Sequence, residues 1–141
     1  MILPDVNVLI AAFRPEHEFH ATCRPWLERT LASHAAYGMS ELALSSFVRI
    51  VTNPRAMREP DTVGDALTFA EAVMRPSHAV RLSPGARHWQ IFTELCRLGH
   101  LRGAVISDAY FAALAIEHGC EWITLDGDYA RFAGLKWRRP E

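Results

Sequence analysis

The sequence predicts an α/β sandwich built around a mainly parallel sheet. Two observations carry that prediction. Short apolar runs alternate with longer amphipathic stretches, and polar, helix-capping residues stand where the runs end. A third observation is size. The chain has 141 residues, half of them hydrophobic and 22% charged, which is ordinary globular usage and close to the modal length of one domain. One domain over residues 1–141 is therefore expected, with enough chain to bury a core without disulfide staples.

The elements follow in order. Met1–Val6 reads as a short buried strand, and Asn7 as the cap of a short helix, VLIAAF, that stops at Arg14-Pro15. Between His17 and Ser33, Phe19, Cys23, Trp26, Leu27, Thr30 and Leu31 recur at steps of three and four. This predicts one amphipathic helix, with Pro25 as a kink or a late start. Ala35–Met39 is the next strand. Ser40 opens the helix ELALSSFVRIV, which ends at Asn53-Pro54, and Asp61 caps TVGDALTFAEAVMR. HAVRLS is a strand and RHWQIFTELCRL a helix closed by Gly99. Ser107 opens DAYFAALAIEH, which ends at Gly119. WITL reads as a buried strand, DYARF as one helical turn and LKW as a weak last strand.

Composition excludes several function classes. Fifteen basic against sixteen acidic residues leave a net charge of −1, so no global field attracts nucleic acid or an anionic membrane. A polyanion would have to be held by a local patch or a bound cation. Cys23, Cys96 and Cys120 are odd in number and show no CxxC spacing, which fits reduced thiols better than a disulfide framework or a zinc knuckle. The apolar start carries Asp5, lacks a basic leader and is too short to span a bilayer. A cytoplasmic protein without a membrane role is expected.

In open α/β sheets, ligands bind beyond the carboxyl ends of the strands. Asp5 ends the first apolar run, Glu41 opens the helix after the second, and Asp126 follows WITL. Asp108 stands in the first turn of an otherwise apolar helix. Each has a plain structural reading alone: Asp5 and Asp126 as turn residues, Glu41 and Asp108 as partners of a helix dipole. Their joint placement is what carries weight. Two like charges about 4 Å apart repel by roughly 4 kcal/mol at an effective dielectric of about 20. Four carboxylates therefore share a pocket only with a cation or with shifted pKa values. Hard oxygen donors without His or Cys favour Mg²⁺ or Mn²⁺ over zinc. Such an ion neutralises a phosphodiester, activates a water and stabilises the leaving oxygen.

The segments DVNVLIAAFRP, SELALSSFVRIVTNPR, HWQIF, ISDAYFAALAIEHG and WITLDGDYARFAGLKW, in this order across nearly the whole chain, resemble PIN-domain ribonucleases, specifically VapC-type toxins of the mycobacterial kind. The resemblance implies a three-layer α/β/α sandwich with about five parallel strands. It also implies Mg²⁺- or Mn²⁺-dependent RNA cleavage, a homodimer, and neutralisation by a VapB-type antitoxin. Asp5, Glu41, Asp108 and Asp126 match the family's four acids, with Glu41 at the very start of its helix. Asn7 matches the polar residue that helps hold the first acid. Asp128 fits a supporting position. Thr124 either orients Asp126 or is a strand residue, the latter being slightly preferred.

Other residues were weighed for the same chemistry. His17 and His20 share a helix face without completing a zinc site, and His88, His100 and His118 suit helix ends. Arg131, Lys136, Arg138 and Arg139 form a basic C-terminal segment, either solvated or in contact with RNA phosphates. Phe19, Trp26, Phe69 and Val73 are expected to leave apolar surface for a two-fold partner. Two alternatives stand beside the nuclease: a degenerate PIN domain that binds without cutting, and a haloacid-dehalogenase-type phosphatase. The latter lacks its second acid in DVN, and the only lysine, Lys136, follows the last acidic motif where it should precede it.

Overall fold

The computed structural model describes residues 1–141. Five strands form one parallel sheet: β1 (Ile2–Pro4), β2 (Tyr37–Ser40), β3 (Ala79–Leu82), β4 (Glu121–Ile123) and β5 (Trp137–Arg138), in the order β3-β2-β1-β4-β5. Six helices connect and cover them: α1 (Val6–Phe13), α2 (His20–Ala32), α3 (Glu41–Val51), α4 (Val63–Met74), α5 (His88–Leu98) and α6 (Val105–Glu117). A 3₁₀ turn at Gly127–Arg131 follows β4.

The inner strands β1, β2 and β4 are short and largely buried because both faces are covered, while the edge strands β3 and β5 stay partly open. Side-chain alternation divides the core into two layers. Tyr37, Met39 and Ile123 join α1, α2, α3 and α4 on one face. Leu3, Leu82 and Trp122 join α5, α6 and Tyr129 on the other. The expected three-layer sandwich is what forms.

Local capping departs from expectation in instructive places. Asp5, not Asn7, is the N-cap of α1, and its side chain makes no capping bond because it turns elsewhere. Thr62, not Asp61, caps α4 by accepting from Asp65 N–H, while Asp61 accepts from Arg14 at 2.5 Å. Helix α2 begins at His20 and runs through Pro25. Helix α6 begins at Val105, two residues before Ser107. Ser40 does cap α3, through Ala43 N–H, and Gly119 does close α6, at a left-handed φ of +63° that suits glycine.

Of the four apolar residues expected to lie open for a partner, two are core and two are half-buried against it. Trp26 and Val73 are buried. Phe69 packs at 5.0 Å from both Phe13 and Phe47, and Phe19 leans on the same layer. Helices α2 and α4 flank the α1–α3 pair and cover what the sheet alone could not. No helix is long and apolar enough to cross a membrane.

Candidate active site

The strand order reverses at β1: β2 and β3 extend to one side of it, β4 and β5 to the other. The crevice between the carboxyl ends of β1 and β4 is thus the switch point of the sheet. Asp5 is the first residue after β1, and Thr124 the first after β4. The ladder continues one step into the crevice, where Asp5 N–H donates to Ile123 O at 2.8 Å.

A compact set of bonds ties these two ends together. Thr124 Oγ1 donates to Asp5 Oδ2 at 2.6 Å and accepts from Asp126 N–H at 3.0 Å. Asn7 Nδ2 lies 2.9 Å from Asp5 Oδ2 and 3.0 Å from Thr124 Oγ1, while its Oδ1 accepts from Leu125 N–H. Thr124 is therefore not merely a strand residue. It links the first acid to the last, the less preferred of its two sequence expectations. Asn7 Nδ2 thus touches both Asp5 and Thr124.

Asp5 is buried, and burial pushes its carboxyl from the ordinary 3.8 up to about 6. The Thr124 hydroxyl and the Val6 and Asn7 N–H groups pull in the other direction, and the charge of Asp108 adds to the rise. Asp108, in the first turn of α6, is raised by burial and then by Asp126, with Asp128 adding and Tyr129 and Arg131 opposing. Tyr129 O–H reaches Asp108 Oδ1 at 3.4 Å. Its phenol is held far above the ordinary range by burial and by all three aspartates. Asp128 donates its N–H to Asp126 Oδ1 at 2.8 Å, but its side chain is exposed outside the cleft.

Asp5, Asp108 and Asp126 line one cleft of about 480 Å³ together with Asn7, Tyr110 and Tyr129. Its opposite wall is α3, through Leu42, Ser46, Arg49 and Ile50. These positions are i, i+4, i+7 and i+8, one stripe of a helix. Glu41 lies off that stripe, roughly 140° around the helix from Ser46. It is exposed, and Arg81 on β3 holds it at 2.9 Å in an adjoining depression. The structure thus brings three of the four expected acids together and leaves Glu41 apart. Arg49 and Ser46 were missed, although the helical period starting at Leu42 was there to find them.

The other expected residues are placed plainly. None of Arg131, Lys136, Arg138 and Arg139 lines the cleft. Arg138 pairs with Glu121 at 3.0 Å, while Lys136 and Arg139 are exposed. His20 lies 2.8 Å from Ala11 O and His88 2.9 Å from Tyr110 O, so both serve the fold.

The chain belongs to the PIN-domain family, whose model matches residues 2–135. That match leaves no place for the phosphatase alternative. Over 140 residues, 99% of both chains, it is 42% identical to Ribonuclease VapC25 of Mycobacterium tuberculosis. It is 40% identical, at the same coverage, to Ribonuclease VapC31 of that organism. Among solved structures it resembles VapBC2 from Rickettsia felis bound to a DNA fragment from their promoter. There the TM-score is 0.70 with both chains fully covered, at 15% identity, a likeness of fold.

Proposed function

We propose that residues 1–141 form a single-domain, Mg²⁺- or Mn²⁺-dependent endoribonuclease toxin of the VapC type. It acts in the cytoplasm as a homodimer and is restrained by a VapB-type antitoxin. The observation that carries the reading is the buried, raised Asp5 beside Asp108 and Asp126 in one cleft at the switch point of the sheet. The full-length similarity to proteins named VapC ribonucleases supports it, as do likenesses to solved VapBC structures for the antitoxin.

The donor set fits a hard cation. It is all oxygen. Burial raises Asp5 and Asp108, and the charge of Asp108 adds to the rise of Asp5 and that of Asp126 to the rise of Asp108, so a positive charge among them would relieve repulsion. No three His, Cys, Asp or Glu side chains converge as a preformed cage. That suits Mg²⁺, which keeps several waters and takes one or two carboxylates plus substrate phosphate. When bound, the ion supplies charge neutralisation at the phosphodiester and a water of lowered pKa.

The chain's own residues do the rest. Thr124 and Asn7 fix the Asp5 carboxylate, and Tyr129 steadies Asp108 Oδ1. Asp126 has Oδ1 engaged by Asp128 N–H, which leaves Oδ2 to receive the proton of the attacking water. Arg49 lines the same cleft as the acids and would be the side chain there to take a substrate phosphate. Attack by water leaves a 5′-phosphate and a 3′-hydroxyl and does not use the RNA 2′-hydroxyl.

The test compares an RNA with a matched strand carrying one 2′-deoxy at the cut, with and without EDTA. Cleavage of both in Mg²⁺, and of neither in EDTA, is expected. Cyclic-phosphate ends formed in EDTA would refute the mechanism, and a protein that binds RNA but never cuts it would be the degenerate alternative. Light scattering at micromolar concentration checks the dimer, which a monomer would overturn.

A further inference from the structure

Trp89 stands apart from the other tryptophans. Trp26 and Trp122 are buried, whereas Trp89, in the first turn of α5, is 68% exposed. Its ring is not isolated from the cleft. It lies 5.4 Å from Phe92, tilted by 43°, and Phe92 lies 5.7 Å from Tyr110 in an edge-on contact. Phe92 and Tyr110 both line the cleft that holds Asp5, Asp108 and Asp126. Buried His88 holds the start of this track rigid, 4.4 Å from the Tyr110 ring with Nε2 at 2.9 Å from Tyr110 O.

Resting on the nuclease reading above, we infer that Trp89 is the outer platform of an aromatic track leading out of the cleft and stacks an unpaired base of the RNA flanking the cut phosphate. Area and surroundings decide between a base and a protein partner. A protein partner needs about 800 Å² per side. The exposed ring offers at most ~170 Å², from its 68% exposure and roughly 250 Å² for a whole tryptophan. The next exposed apolar residue of α5, Leu98, is nine residues on and so points to the opposite side of the helix. Beside Trp89 run polar residues, with Gln90 paired to Glu94 at 3.1 Å. One ring in a polar surround, continuous with the cleft, matches one base, and every base presents a stacking face.

The experiment uses the full chain and a short labelled RNA spanning a cut that the wild type makes. Binding is measured in the Asp5→Asn background, and steady-state kinetics in the active one. Trp89→Ala should weaken binding by roughly 5- to 150-fold. The loss should fall on Kd and KM and spare kcat at saturating RNA, and Trp89→Phe should keep most of the affinity. Replacing single nucleotides by abasic residues should find one position whose loss matches that of Trp89→Ala and does not add to it. Three outcomes would overturn the assignment: unchanged binding, strict additivity at every abasic position, or a change of mass in light scattering, which would make the ring a subunit contact. If the wild type cuts no RNA at all, the functional proposal fails before any variant is made, and this assignment with it.

Discussion

Asp5 offers the sharpest test of the site, because its cost to folding is legible in the structure. Its carboxyl titrates at about 6 when folded against an ordinary 3.8, chiefly through burial. The folded state therefore binds this proton more tightly than the unfolded state. Its contribution is most favourable below pH 3.8, declines as pH rises through the window from 3.8 to about 6, and stays at its least favourable above that. At about 1.4 kcal/mol per pH unit, the cost at pH 7 is on the order of 3 kcal/mol. Asp5→Asn removes the charge and keeps an amide oxygen to accept from Thr124 and Asn7. With an unfolding entropy of about 0.3 kcal/mol/K for a chain this long, the variant should melt on the order of 5–10 °C higher at pH 7. Scanning calorimetry in EDTA at pH 4, 5, 6 and 7 checks this. The gap between variant and wild type should close as pH falls towards 4. Adding Mg²⁺ should stabilise the wild type and leave Asp5→Asn nearly unmoved, since the ion binds only the assembled carboxylates. A variant that melts at or below wild type at pH 7, or a gap independent of pH, would refute both the burial argument and the site built on it.

Three further substitutions separate the residues of the cleft. Glu41→Gln should change stability by less than about 1 kcal/mol and activity by no more than about twofold, because its ion pair with Arg81 is exposed, whereas Asp108→Asn should cost at least ~100-fold in RNA cleavage. Thr124→Val keeps the shape but strips the 2.6 Å bond from a buried carboxylate; denaturation at pH 7 should show a loss of about 1.5–3 kcal/mol, and the acid limb of the pH–rate profile should move upward. Arg49→Ala should lower kcat/KM by roughly 10- to 100-fold while leaving the urea midpoint in place, and Arg49→Lys should recover part of the loss as a point charge without the fork.

Most of the fold could be read from the sequence because local and global signals agree. The apolar runs at Ile2 and Trp122 read as buried strands and HAVRLS as a strand, and all three form; Gly99 and Gly119 end the helices they were expected to end. Boundaries slipped where two residues competed for one cap. Asn7 lost to Asp5 because its side chain is used across the sheet by Leu125, and Asp61 lost to Thr62 because Arg14 takes it. In the site, strand ends and a helix start point to Asp5, Asp108 and Asp126, which share one cleft, whereas Glu41 lies apart because its place on α3 is set by the helical phase and not by its being at the helix start. The Thr124 link joins residues 119 apart in sequence, and no local pattern carries it. The buried state of Trp26 and Val73 was equally out of reach, since it depends on which helices flank α1 and α3.

On the proposed function, the charge arrangement bears on how a chain of net charge −1 would grip a polyanion. With no long-range field to concentrate RNA, affinity has to come from contacts made within and beside the cleft. Asp5 and Asp126 stand beyond strand ends and Asp108 at the start of α6, while Arg49, the cation lining the cleft, stands on α3. On the proposed function, a phosphate between them would meet attraction from one wall and repulsion from the other, and a divalent ion held by the acids would remove that repulsion. If Asp5→Asn melts higher at pH 7, as expected, the buried charge of Asp5 opposes folding. The Thr124–Asn7 clasp then holds a charge where burial disfavours it. A cation bound there would turn the acidic wall from a barrier to RNA into part of its binding surface.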